Sequence, residues 1–140
     1  MAHILLIEDN PIDARLIQRF IPGTVTWIDD GQKALWYLQS LEAGRVDNSP
    51  DLVLLDLNLP RYNGLEVLEA FRGSRSSWHL PVFLLSSMPS NEIADLARAS
   101  NLQAEAYIEK PCGLTGFEQL AARIMEATDA NFSEAKTVAA

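Results

Sequence analysis

Cysteine occurs once in the 140 residues, at Cys112, and histidine twice, at His3 and His79. One thiol cannot close an internal disulfide. Two separated imidazoles with no cysteine at ligand spacing leave no zinc framework. Basic residues are scarce as well: 11 Lys and Arg against 19 Asp and Glu give a formal charge of −8. Nucleic acid is held through clustered cations on its phosphates, so this balance argues against direct DNA or RNA binding. No apolar stretch approaches the roughly 20 residues of a membrane helix, and the N-terminal run Ile4–Ile7 is too short for a secretion signal. A cytoplasmic protein with no membrane partner is expected.

What the chain does have is 48% apolar residues in a length that suits one domain. Folding at this size buries roughly two-thirds of the unfolded surface, enough for a single core. Any output domain is therefore expected on another polypeptide. Apolar, β-branched runs recur at Ile4–Ile7, Val25–Ile28, Leu52–Leu55, Val82–Leu85 and Ala106–Ile108. Several lack polar alternation, which fits strands covered on both faces. Between them lie segments of helical period. The first spans about Pro11 to Phe20, with Asn10 as N-cap and Pro11 at the first helical position. The second follows Asp30-Gly31; the third opens with Asn63 and Glu66 and stops at Gly73; the fourth follows Pro89-Ser90; the fifth carries Thr115 and Glu118 as a capping box. Strand and helix alternate five times with short connections, which predicts right-handed βαβ units in an open parallel sheet with helices on both faces. Residues 1–128 make the domain, and 129–140, with little apolar periodicity, are expected to be a mobile tail.

In such sheets ligands bind beyond the carboxyl ends of the strands, near the point where strand order reverses. Strand one ends in Glu8-Asp9, strand two in Asp29-Asp30, strand three in Asp56, strand four in Ser86-Ser87 and strand five in Lys110-Pro111. If the strand order is 2-1-3-4-5, Glu8, Asp9 and Asp56 meet. Two unit charges ~4 Å apart repel by about 4 kcal/mol at an effective dielectric near 20, so the cluster needs a cation. Several carboxylates suit a hard divalent ion such as Mg²⁺. Lys110 brings a movable positive charge from the far side, and Ser86 a hydroxyl donor. Each piece has a plainer explanation: Glu8-Asp9 as helix capping, Asp56 as a turn aspartate, Lys110-Pro111 as a strand-ending turn. Asp29-Asp30 is the control, an acidic pair read as turn and helix cap. Four strand ends supplying what one phosphoryl-transfer site needs is the conjunction that favours a site.

The motifs read Leu-Ile-Glu8-Asp9-Asn-Pro, Leu-Leu-Asp56-Leu-Asn-Leu-Pro-Arg-Tyr-Asn-Gly64, Phe-Leu-Leu-Ser86-Ser and Tyr107-Ile-Glu-Lys110-Pro111. Over about Ile4 to Ala127 the chain resembles response-regulator receiver domains, the phosphoacceptors of two-component signalling. The Glu-Asp-Asn-Pro run with Asp13 and Leu16 is most similar to stand-alone receivers that partner phytochrome-type histidine kinases. The resemblance implies a flavodoxin-like (βα)5 three-layer sandwich, with Asp56 as phosphoacceptor and Lys110 and Ser86 as phosphoryl partners. Ser86 and Tyr107 would form the switch. Mg²⁺, or alternatively Mn²⁺, would be held by Glu8, Asp9, Asp56 and the Asn58 backbone carbonyl. Asn58 and Met88 would tune hydrolysis, and Pro111 would follow a cis bond. The protein would assist its own phosphorylation and dephosphorylation without being a stand-alone enzyme. Its partners would be a sensor histidine kinase or phosphotransfer protein and a downstream protein target, with homodimerisation through the face of helix 4, strand 5 and helix 5.

Among the remaining residues, Cys112 is expected to be a small buried side chain. Trp27 and Trp36 are expected in the core or at its edge. Trp78, in a polar loop, stands between a partner surface and a loosely packed aromatic. Three rival readings remain. A haloacid-dehalogenase-like phosphohydrolase would carry its nucleophile after strand one with a second aspartate two residues on, where this chain has Asn58 after strand three. A flavin module would need a phosphate loop where Glu8-Asp9 stand. A receiver-like interaction module that no longer takes phosphate is opposed by the complete Asp56, Ser86 and Lys110 set.

Overall fold

The computed structural model describes the backbone of residues 2–21 and 23–139 and the side chains of those up to residue 128. Ten elements alternate: β1 (His3–Ile7), α1 (Pro11–Phe20), β2 (Thr24–Ile28), α2 (Gly31–Glu42), β3 (Leu52–Asp56), α3 (Gly64–Arg72), β4 (Val82–Ser86), α4 (Ser90–Ala99), β5 (Ala106–Glu109) and α5 (Leu114–Ala139). The five strands pair in parallel in the order 2-1-3-4-5, as expected. The expected tail, 129–140, lies outside the residues whose side chains are described.

Every residue of β1, β3 and β4 is buried, the reason these strands read as unbroken apolar runs. Successive side chains serve two separate cores. Leu5, Ile7, Val53, Leu55, Val82 and Leu84 face α2, α3 and α4. Ile4, Leu6, Leu52, Leu54, Phe83 and Leu85 face α1 and α5. β2 lies at an edge and is only partly covered, with Trp27 donating its indole N–H to the Glu8 carbonyl at 2.8 Å.

Local chemistry fixes most helix starts. Asn10 accepts from the Ile12 and Asp13 amides, Asp30 from those of Gln32 and Lys33, and Asn63 with Glu66 forms the expected reciprocal box. Asp30 is thus a cap, as the sequence reading held. α5 departs from expectation: it begins at Leu114, with the Phe117 amide reaching the Gly113 carbonyl at 3.4 Å, so Thr115 falls inside the first turn. Gly113 reaches φ +91, which glycine adopts without a Cβ clash and which lets the chain turn into the helix two residues early. Trp36 is 52% exposed rather than core, because α2 buries Ala34, Leu38 and Leu41 and turns Trp36 away. Cys112 is exposed, sitting on the β5–α5 loop instead of either core. The Lys110–Pro111 bond is trans, and no described peptide bond is cis. An X–Pro bond prefers trans by only about 0.5–1 kcal/mol, so its isomer is set by packing and the residue pair does not dictate it.

Candidate functional site

The chain leaves β1 toward β2 on one side and returns through β3 on the other, so β1 and β3 flank the point of reversal. Glu8 and Asp9 follow β1, and Asp56 ends β3. One carboxylate oxygen from each lies within 4.8 Å of the others. Glu8 and Asp56 are buried and Asp9 is exposed, so the cluster opens to solvent on the Asp9 side. The Asn58 amide donates to Asp56 Oδ1 at 3.0 Å, steadying one oxygen.

Lys110 meets these carboxylates from β5. Its Nζ lies 3.0 Å from Asp56 Oδ2 and 2.7 Å from Glu8 Oε1. The lysine backbone is held too, its amide donating to the Ser86 carbonyl at 2.7 Å. Burial alone would lower the ammonium pKa. Hydrogen bonds and charge from Glu8 and Asp56 outweigh that and hold it above the usual lysine range. Glu8 is pushed up to about 8 by burial first, and next by its hydrogen bond with Asp56. The contact with Lys110 opposes that rise without cancelling it.

A third acid also reaches Lys110. Asp13 Oδ2, in the first turn of α1, accepts from Nζ at 3.1 Å. In the sequence, Asp13 stands out only as part of the motif similar to one group of receivers. Its position one turn after the Asn10 cap, on the helix facing β5 and α5, is the signal that could have found it.

Apart from the Asn58 amide and the Ser86 carbonyl already named, the remaining expected residues make no bond to this centre. Ser86 is fully buried at the end of β4, and its Oγ accepts from the Met88 amide at 3.3 Å. Met88 is half-buried against the core beneath α4. Tyr107, half-buried on β5, accepts from the Ala104 amide at 3.1 Å through its hydroxyl. Asn58 is exposed beside Asp56. Trp78 is 61% exposed and stacks edge-on against His79 at the opposite end of the sheet, away from the carboxylates.

The donor set suits a hard divalent cation: three carboxylates, no nitrogen or sulfur ligand, and an open side where water can complete the shell. Glu8 Oε1 is buried without a partner in hydrogen-bond geometry, although Nζ is near. Three carboxylates face a single ammonium here, so acidic oxygens are left over for a divalent ion and the residues present fit a metal.

A family model described as "Response regulator receiver domain" matches residues 4–124. The chain is 36% identical over 128 residues to the probable methanogenesis regulatory protein FilR2 of Methanothrix harundinacea, covering 88% of this chain and 81% of that protein. Among solved structures, the phosphorylated cyanobacterial phytochrome response regulator RcpA superposes with a TM-score of 0.77 at 34% identity, covering 89% of this chain and 91% of the other. The Mn(2+)-bound form of response regulator Rcp1 superposes at 0.73 with 28% identity over the same shares. Among the described residues, no helix is long and apolar enough to cross a membrane.

Proposed function

Because the chain belongs to the response regulator receiver family of two-component signalling, we propose that Asp56 accepts a phosphoryl group from a histidine kinase or phosphotransfer protein in a Mg²⁺-dependent reaction. The observation that carries this reading is Lys110 Nζ 3.0 Å from Asp56 Oδ2 at the point where strand order reverses, beside Glu8 and Asp9. An Asp56 oxygen attacks phosphorus in line. The new P–O bond forms as the P–N bond of phosphohistidine breaks, and the departing imidazole nitrogen keeps the electron pair and takes up a proton. An ionised carboxylate needs no general base.

Glu8, Asp9, Asp56 and the Asn58 carbonyl would hold the metal, which would neutralise charge on the transferring group. Mn²⁺ can take the same oxygen ligands, and a manganese-bound structure is known for the relative Rcp1. Lys110 pairs with one phosphoryl oxygen. Ser86 donates its hydroxyl to another, giving up its bond from the Met88 amide and drawing the β4–α4 loop inward. α4 suits that movement: no side chain caps its start, and it buries only Ile93 and Ala97. Tyr107 would leave the Ala104 amide and turn into the space opened. The protein is in this reading a cytoplasmic phosphoacceptor that aids its own phosphorylation and dephosphorylation. It signals through α4, β5 and α5, the face offered to a downstream target or to a second copy.

Incubation with acetyl phosphate and Mg²⁺, read by intact mass, tests this. One added phosphoryl group is expected in the wild type and none in Asp56→Asn or with chelator; an unmodified wild type overturns the reading. Sedimentation of the same samples tests the second copy, whose signature is a phosphorylation-dependent dimer.

A further inference from the structure

The ammonium of Lys110 is shared by more acceptors than its role beside Asp56 requires. Its Nζ donates to Asp56 Oδ2 at 3.0 Å and to Asp13 Oδ2 at 3.1 Å, and Glu8 Oε1 stands 2.7 Å away. Asp13 is not free to drift. Its amide is bonded by Asn10 Oδ1, and Pro11 fixes the entry to α1. Lys110 is 97 residues away on another element, so the contact ties α1 to the end of β5 through one proton donor. Beyond Asp13 and Lys110 lies a cavity of about 520 Å³, also lined by Asn10, Ser87, Pro111 and Cys112. Asp13 therefore reaches the ammonium from the side of this cavity.

We propose that Asp13 is a positioning residue for Lys110: in the unphosphorylated protein it takes one of the ammonium's hydrogen bonds beside Glu8 and Asp56, and it competes for that ammonium with a phosphoryl group on Asp56. Two consequences have opposite sign. Asp13 adds a negative charge beside the cluster and draws on the ammonium that neutralises it, so the carboxylates attract a divalent cation more strongly. Once an anionic phosphoryl group is on Asp56, Asp13 competes with it for the same ammonium. This inference rests on the reading of Asp56 as the phosphoacceptor.

Asp13→Asn keeps the shape and removes the charge. In general a unit charge ~6 Å from a divalent ion changes its affinity by about tenfold at the dielectric of water and about threefold with salt screening, which sets the scale for a neighbouring charge lost. Titration with Mg²⁺ alone, read by calorimetry and by Trp27 fluorescence through its bond to Glu8, should show affinity falling by about that factor. Titration with beryllofluoride at saturating Mg²⁺ should show affinity rising by a similar factor. Asp13→Glu should return both toward the wild type, and Asp13→Ser should repeat the Asn pattern. A residue that served only α1 would lower the melting temperature and leave both affinities alone, which overturns the proposal, as does a fall in both. If the wild type binds neither probe, the phosphoacceptor reading itself fails and takes this one with it.

Discussion

Among single residues, four of the site's side chains could be found because each ends a strand, and the order of a parallel sheet brings strand ends together whatever their sequence separation. Glu8, Asp9, Asp56 and Lys110 were legible on that ground. Asp13 was not, since its meeting with Lys110 depends on how α1 packs beside β5, which no local pattern encodes. Met88 gives a prediction at this scale. Its side chain is half-buried against the core and its amide is bonded to Ser86 Oγ, two residues before it. A thioether is a weak acceptor and cannot orient a water for attack on an aspartyl phosphate. A comparatively long-lived phosphorylated state follows, and Met88→Glu should shorten its half-life several-fold. The check is the decay of phosphorylated protein by intact mass after the donor is removed; an unchanged decay would sink the idea.

Whole elements were the easiest to read where burial is complete and the hardest where a turn decides. β1, β3 and β4 are apolar at nearly every position because both faces are covered. The end of α4 gave no such signal. Asn101 adopts φ +57 there, with the Leu102 amide on the Ala97 carbonyl and the Asn101 amide on that of Arg98, a closure that glycine usually makes. The trans bond before Pro111 likewise depends on packing. The β3–α3 connection shows how an element end serves the site. The Gly64 amide donates to the Leu57 carbonyl at 2.8 Å, bringing α3 directly under the residue that follows Asp56. A Cβ at Gly64 would run into the Asp56 carbonyl and come 2.7 Å from Leu57 Cα, both backbone atoms that cannot swing away. Gly64→Ala should therefore destabilise the fold by about 1–3 kcal/mol, the usual cost of an overpacked site. Because the displaced backbone carries Asp56, it should also slow phosphorylation by small-molecule donors at temperatures where the variant is fully folded. Urea unfolding and the rate of mass gain check the two parts. A destabilised variant with a wild-type rate would show that α3 does not position the phosphoacceptor.

At the level of the whole molecule, the charge of −8 comes mostly from solvated carboxylates, while Glu8 and Asp56 are buried and burial resists the ionisation of Glu8. Burial, which penalises its charge, pushes Glu8 up to about 8 from the 4.5 of an ordinary glutamate. Below pH 4.5 both folded and unfolded chains carry its proton. Between 4.5 and 8 the unfolded chain has released that proton while the folded chain keeps it. The unfolded state then binds fewer protons, so stability falls as pH rises across this window, by at most about 1.4 kcal/mol per pH unit for the single group. General repulsion among the acids grows in the same direction, and Glu8→Gln separates the two, since it removes only the Glu8 share. Saturating divalent cation acts oppositely by favouring the ionised cluster; a ligand at a hundred times its dissociation constant adds about 2.7 kcal/mol. Urea unfolding with chelator at pH 5.5, 6.5 and 7.5 should give declining stability in the wild type and a flatter course in Glu8→Gln. With saturating Mg²⁺ the wild-type decline should shrink or reverse. Metal-free stability that stays level or rises from pH 5.5 to 7.5 would mean that Glu8 is ionised in the fold. The acidic cluster would then be balanced by Lys110 alone, and the coupling of metal binding to a proton at this site would have to be abandoned.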